Sequence, residues 1–138
     1  MKKVIMVLLA AAVGLTVTAC LTVYAQNESD FESRVENGRL VLIGYRGNGG
    51  NVVIPARLQG SPVTAIADKV FQSKNLTSVS IPKKVTTIEF GAFYNNRLTR
   101  VNMPNSVTAI EQGAFMNNQL TRMNIPNSVT TIEGGVYE

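Results

Sequence analysis

Residues 98–119 read LTRVNMPNSVTAIEQGAFMNNQ, and most of this stretch has already occurred once in the chain. The 22 residues before it, 76–97, read LTSVSIPKKVTTIEFGAFYNNR and are identical at 13 of 22 positions. Residues 120–138 begin another copy, LTRMNIPNSVTTIEGGVYE, which is identical at 12 of 19 positions. A fixed period in this range is typical of a solenoid, in which successive units stack on one another.

The same spacing continues towards the N-terminus. A V-T-x-I motif recurs every 22 residues, at Val63/Ile66, Val85/Ile88, Val107/Ile110 and Val129/Ile132. Three further files keep this period: Phe71, Phe93 and Phe115; Leu76, Leu98 and Leu120; Pro82, Pro104 and Pro126. Ile54 precedes Ile81 by 27 residues, which indicates an earlier copy with five residues inserted within ARLQGSP. We expect equivalent residues to touch across the stack, with the phenylalanines in one file.

The apolar positions predict the shape of one unit. Val101 and Met103 alternate with Arg100 and Asn102, which is the period of a strand with one buried face. Pro104 lacks a backbone donor and ends that strand. The β-branched V-T-x-I motif predicts a second short strand, and the Gly-Ala-Phe that follows predicts a corner with an inward ring. The fold class predicted from these patterns is a β-rich solenoid.

The first described segment after the N-terminus predicts a cap. In residues 31–54, FESRV, a turn at Glu36-Asn37-Gly38, RLVLIGY, a glycine-rich RGNGG and NVVIP predict two successive hairpins over the first unit. We therefore expect a hairpin cap and first repeat at 26–62, and repeats at 63–138. The last repeat is incomplete, because Gly134-Gly135-Val136 replaces Gly-Ala-Phe. We expect truncation there, the alternative being a second subunit that covers this end.

The N-terminus predicts export. Lys2 and Lys3 precede an uncharged stretch from Val4 to Ala25, so we interpret 1–25 as a signal sequence. Val17-Thr18-Ala19-Cys20 resembles a lipobox, which would make Cys20 a lipid attachment site. Cleavage after Val23-Tyr24-Ala25 is the second alternative, and a retained membrane anchor is the third. All three place the protein in the cell envelope or outside the cell.

Composition excludes several function classes. Without Lys2 and Lys3, 11 of the 13 Lys and Arg residues remain against 9 Asp and Glu, a net charge of +2. No basic stripe suited to nucleic acid is present in the sequence. The chain has no histidine, and its single cysteine excludes an intrachain disulfide and a thiolate metal cluster. We therefore predict no enzyme activity, no metal and no cofactor.

One file of carboxylates needs an interpretation. Glu89, Glu111 and Glu133 recur at the 22-residue period, so like charges should lie one unit apart and repel. Paired carboxylates suit acid–base catalysis and calcium binding, but a solvated face is the interpretation we favour. We expect Arg97 or a bound cation to offset the repulsion.

The consensus LTxVxIPxxVTxIExGAFxxN, carried by residues 76–138, resembles the BspA-like leucine-rich repeats of bacterial surface proteins. Residues 39–71, with G-Y-x-G, V-V-I-P, G-S-P-V-T-A-I and V-F in order, look like that family's N-terminal segment. The resemblance implies a short leucine-rich-repeat stack whose leading strands face a binding surface. It also implies an exported or surface-attached protein that binds a protein or peptide partner, such as host matrix or another bacterial surface. The sequence departs from the family at the three glutamates, where glycine is usual.

The outward positions of the leading strands are the predicted ligand-binding residues. They are Ser78, Ser80, Arg100, Asn102, Arg122 and Asn124. Arg100 and Arg122 occupy equivalent positions, and their fork-shaped guanidinium groups suit carboxylates. The alternative interpretation is an ordinary solvated surface. Tyr94 and Met116 predict a second, apolar strip, or else half-buried packing.

We therefore favour a non-catalytic binding module. One alternative is a self-associating structural envelope protein, a homo-oligomer that stacks through its bare C-terminal end. A second is a binder of an apolar small molecule, with a pocket bordered by the insertion at residues 57–62. A third is a gene fragment without function.

Overall fold

The structure of the chain, a computed structural model, describes residues 26–136. The predicted signal sequence at 1–25, with its lipid attachment at Cys20, lies outside the described residues. Within the described part, one turn of 3-10 helix at Glu28–Asp30 precedes the strands. The strands are β1 (Phe31–Glu36), β2 (Arg39–Tyr45), β3 (Gly50–Val53), β4 (Arg57–Leu58), β5 (Ser61–Ile66), β6 (Leu76–Ser80), β7 (Thr87–Ile88), β8 (Arg100–Asn102), β9 (Ala109–Ile110), β10 (Arg122–Asn124) and β11 (Thr131–Ile132).

The repeats wind into the predicted solenoid. Each unit, called a rung below, contributes one strand to each of two sheets, which run in the order β1-β2-β5-β7-β9-β11 and β10-β8-β6-β3. Neighbouring rungs pair in parallel and in the register of the repeat, so that Ile88 lies opposite Ile110 and Ser80 opposite Asn102. About four rungs form a stack without α-helices in the described chain. The predicted fold class is confirmed.

The phenylalanines form one stacked file inside the solenoid. The ring centroids of Phe71 and Phe93 are 5.0 Å apart with planes 2° apart, and those of Phe93 and Phe115 are 5.1 Å apart with planes 6° apart. Tyr45 and Phe31, which precede the repeats, extend the file with tilted rings at centroid distances of 5.1 Å. All five rings are buried. Each rung therefore hides its apolar side chains against the rungs beside it, which a single rung could not do.

The N-terminal segment forms one hairpin, and the predicted second hairpin is wrong. β1 and β2 are antiparallel, but β2 then pairs in parallel with β5, while β3 pairs in parallel with β6 in the other sheet. The chain between them turns a corner at Gly49, where φ is 80°. A Cβ at Gly49 would lie 1.9 Å from the carbonyl oxygen of Lys74, so only glycine fits. RGNGG is thus a corner between sheets.

The five-residue insertion forms a small hairpin outside the repeat. β4 pairs antiparallel with β5 through a two-residue turn, in which Gln59 and Gly60 both have positive φ. The Arg57 guanidinium donates hydrogen bonds to the Gly60 carbonyl oxygen at 2.8 and 3.1 Å. The insertion therefore leaves the register of the next rung unchanged.

The last described rung is closed unevenly. Val136 is buried, and its carbonyl oxygen accepts a hydrogen bond from the Phe115 N–H at 2.8 Å, so Val136 covers the end of the aromatic file. Ile132 is 48% exposed, whereas its equivalents Ile88 and Ile110 are fully buried. The side of this rung that faces away from the stack is therefore apolar and open within the described chain.

Candidate functional site

The predicted ligand-binding residues lie together on the outer surface of the four-stranded sheet. We call this surface the strand face, and it comprises Asn51, Val53, Ser78, Ser80, Arg100, Asn102, Arg122 and Asn124. Arg122 pairs in register with Arg100, and Asn124 pairs with Asn102. The two arginines are therefore neighbours on adjacent parallel strands, whose spacing is about 4.8 Å.

Alternation within each strand holds these side chains outward. Val79 and Val101 point into the core and are buried, whereas Ser80, Arg100 and Asn102 on either side of them are exposed. Ser78 is half-buried, because its hydroxyl is hydrogen-bonded to the side-chain oxygen of Asn51 on β3. Ser78 therefore supports the end of the surface and is less free than the other five predicted residues.

The strand face is cationic. Within the described chain the ion pairs join Arg34 with Glu36 and Arg46 with Glu32, so neither Arg100 nor Arg122 is neutralised by a carboxylate. The four strands β3, β6, β8 and β10 contain no Asp or Glu. A guanidinium that is exposed and unpaired can form a two-pronged hydrogen bond with a carboxylate from another molecule.

The repeat glutamates lie at the ends of the other sheet's strands and bind backbone groups. The Glu111 carboxylate accepts a hydrogen bond from the Phe90 N–H at 3.1 Å, and the Glu133 carboxylate accepts one from the Gln112 N–H at 3.3 Å. The expected compensation by Arg97 is absent, because Arg97 forms no ion pair among the described residues. The carboxylates are held by N–H dipoles of the preceding rung, which suits a charged acceptor.

One of these carboxylates is perturbed. Burial raises the pKa of Glu89, and the nearby carboxylates of Glu111 and Asp68 raise it further, while the Asp68 backbone N–H acts in the opposite direction. Within residues 26–136, no group of three or more histidine, cysteine, aspartate or glutamate side chains could hold a metal ion. The file of glutamates is thus explained by its hydrogen bonds between rungs.

An apolar groove crosses the solenoid at the corner that follows β5, β7 and β9. Its volume is about 320 Å³, and its lining residues are Lys69, Gln72, Phe90, Gly91, Tyr94, Gln112, Gly113 and Met116. The predicted apolar strip of Tyr94 and Met116 lies here, and both side chains are half-buried. Sequence reasoning missed Phe90, which is 41% exposed. Its signal was an aromatic residue at a position where the adjacent rungs carry Asp68 and Gln112.

A second, more polar groove lies beside the N-terminal hairpin. Its volume is about 380 Å³, and Glu36, Asn37, Arg39, Thr87 and Glu89 are among its lining residues. Neither groove includes the insertion at residues 57–62, which the sequence suggested as the border of a pocket. In the part of the chain that the structure describes, no helix is both long and apolar enough to cross a membrane.

Comparisons with known proteins agree with this architecture. A family model described as "BspA type Leucine rich repeat region (6 copies)" matches residues 63–138. The fold is similar to a leucine-rich repeat protein from T. pallidum, with 25% identity and a TM-score of 0.62, over 80% of this chain and 64% of that one. It is also similar to a leucine-rich repeat protein from Bacteroides capillosus, with 23% identity and a TM-score of 0.57, over 77% and 95% of the two chains. The comparison with curated proteins finds no match.

Proposed function

The chain belongs to the BspA type leucine-rich repeat family, and on that premise we propose that it is an exported module that binds a protein or peptide on its strand face. Residues 26–62 act as the cap, and residues 63–138 provide the binding repeats. Members of repeat families of this architecture use an extended surface built from many rungs. We propose no catalytic role and no cofactor for this chain.

The observation that carries the proposal is the register of Arg100 with Arg122 and of Asn102 with Asn124. The side chains form two parallel rows, one of guanidinium groups and one of amides, on strands that contain no carboxylate. A partner with surface carboxylates can place them against the arginines, while the asparagines donate to and accept from its backbone. Such charge pairs supply orientation and a faster encounter more than raw affinity.

The proposed location is the cell envelope, with the partner on host matrix or on another bacterial surface. The basic and apolar character of residues 1–25 in the sequence supports export. Mass spectrometry of the mature N-terminus tests this part: a lipidated Cys20 or a free Gln26 supports export, whereas a protein that retains Met1 and stays inside the cell contradicts it.

The strand face is tested by Arg100→Ala combined with Arg122→Ala. Adhesion of the full chain to immobilised host-matrix proteins and to bacterial cells should weaken by about tenfold, since two exposed charge pairs of roughly 0.2 to 1 kcal/mol each are lost. The melting temperature should barely change, because both side chains are exposed. Arg39→Ala is the matched control, since Arg39 is an exposed arginine on the other sheet. Equal adhesion of wild type and double variant would refute the site.

Self-association is a second candidate function, which the exposure of Ile132 favours. Ile132 and the half-buried Leu120, Met123 and Val129 form an apolar surface on the outermost rung. A second copy could cover it and bury these side chains. Sedimentation of the full chain tests this candidate: a concentration-dependent increase in mass that Ile132→Asp removes supports it, and a monomer at all concentrations contradicts it.

A further inference from the structure

We propose that the apolar groove is a second binding site, separate from the strand face, which takes a peptide segment that carries an aromatic side chain beside a carboxylate. The groove comes from three files of side chains on successive rungs. Its floor is Lys69, Gly91 and Gly113; Phe90 and Gln112 form one wall, and Tyr94 and Met116 form the other. Each file follows the 22-residue period, so the groove runs along the solenoid axis.

The floor is open because two of its positions have no side chain. Gly91 and Gly113 have φ values of 58° and 66°, a backbone conformation that favours glycine. The Gly-Ala-Phe corner therefore fixes glycine at these positions for a structural reason, and the space above them follows. A flat ring can approach the backbone there, between Phe90 on one side and Tyr94 on the other.

Phe90 is the side chain that folding does not explain. Its ring is 41% exposed, whereas Phe93 in the same rung is fully buried. The positions one rung away on either side carry Asp68 and Gln112, so the rung tolerates polar residues at this place. An exposed ring next to half-buried Tyr94 and Met116 gives a continuous apolar lining, and such surfaces mark partner sites.

The opposite wall is held in place before any ligand arrives. The Asn117 side-chain amide, one rung further along, donates a hydrogen bond to the Tyr94 hydroxyl at 2.9 Å. This bond ties the tip of the phenol to the neighbouring rung. A wall that is already ordered costs less conformational entropy on binding.

The charge at one end of the groove selects the ligand. The Lys69 ammonium lies 5.3 Å from the centroid of the Phe90 ring, and Lys69 forms no ion pair among the described residues. Gln72 and Gln112 line the groove with primary amides, which can bond a peptide backbone. An ammonium, an apolar lining and amides together match a carboxylate, an aromatic side chain and a main chain. A peptide that contains Phe followed by Glu has this chemistry.

Three blocked tetrapeptides test the proposal by NMR titration of the full chain, followed through the Met116 methyl group. The probes are acetylated and amidated Ser-Phe-Glu-Ser, Ser-Phe-Gln-Ser and Ser-Ala-Glu-Ser. We expect Ser-Phe-Glu-Ser to bind about tenfold more tightly than the alanine peptide, because a buried ring is lost. It should bind about threefold more tightly than the glutamine peptide, which is the size of one exposed ion pair.

Variants separate the groove from the strand face. Phe90→Gln copies the residue of the next rung and should weaken Ser-Phe-Glu-Ser about tenfold with unchanged folding. Lys69→Gln should remove the preference for glutamate over glutamine and leave ring binding in place. Arg100→Ala with Arg122→Ala should leave all three titrations unchanged. The proposal is overturned if the Met116 signal does not move, if the phenylalanine and alanine peptides bind equally, or if Lys69→Gln retains the preference for glutamate.

Discussion

The side-chain amide of Asn118 bridges two rungs through Phe93, since its nitrogen donates to the Phe93 carbonyl oxygen at 2.9 Å and to the Phe115 carbonyl oxygen at 2.8 Å. Asn96 does the same one rung earlier with Phe71 and Phe93, at 2.8 and 2.9 Å. The Asn96 side-chain oxygen also accepts the N–H groups of Lys74 and Leu76. Backbone groups at these corners cannot pair in a strand ladder, so the asparagines satisfy them.

Replacing Asn96 by alanine should destabilise the fold strongly. Asn96 is buried, and its loss leaves buried N–H and carbonyl groups without partners, at about 1 to 3 kcal/mol for each group. We expect the free energy of unfolding to fall by about 3 kcal/mol in chemical denaturation. Asn105→Ala, at an exposed position, is the control and should change little. Equal stabilities of the two variants would show that the bridging amide contributes nothing.

The aromatic file gives a prediction with a control in the same rung. Phe93→Leu keeps much of the apolar volume but removes two stacked pairs, each worth about 0.5 to 1.5 kcal/mol beyond burial. Phe90→Leu makes the same chemical change at an exposed ring. Thermal and denaturant unfolding should therefore show a loss of about 1 to 3 kcal/mol for Phe93→Leu and almost none for Phe90→Leu. Similar losses for both would mean that stacking is not what orders the rungs.

Glu89 should make stability depend on pH. Its pKa is raised in the folded state by burial and by the Glu111 and Asp68 carboxylates, so the folded state holds this proton more tightly than the unfolded state. The contribution of Glu89 to stability is therefore greatest below its unfolded pKa, and it is lost as the pH rises through the folded pKa. Glutamine at this position can still accept a hydrogen bond and carries no charge.

Denaturation between pH 3 and pH 8 measures this effect. Glu89→Gln should be more stable than the wild type at pH 7, and the difference should shrink as the pH falls below the ordinary value of 4.5. Glu28→Gln, on the exposed 3-10 turn, is the control substitution. A difference between Glu89→Gln and wild type that stays constant across this range would contradict the assignment.

Sequence reasoning predicted the repeats because their period is printed in the chain. Residues 22 apart, such as Phe71 and Phe93, had to meet if the units stacked, and the alternation around Val101 identified the outward side. The cap was harder to predict. Two strand-like segments separated by RGNGG look like a hairpin locally, but the parallel partners of β2 and β3 lie about 25 residues away along the chain. A local pattern cannot choose between a near and a distant partner when both bury the same residues.

The candidate sites divide in the same way. The position of Arg100 beside Arg122 follows from the repeat alone. The apolar groove does not, because it depends on Phe90, one aromatic residue at a position that is polar in the rungs on either side. The backbone bonds of Glu111 and Glu133 were also missed, because the sequence shows like charges and not the N–H groups that face them.

The hairpin of β4 and β5 shows what kind of length change this architecture accepts. Its five additional residues bulge outward as a self-paired loop, and the residues after it return to the same register. Duplication of a whole 22-residue segment of the gene would likewise preserve every neighbour relationship and add one layer. Loss or gain of eleven residues within a layer would instead bring polar corners over the buried rings. Evolution of this chain should therefore proceed in whole layers or in looped excursions, and rarely in between.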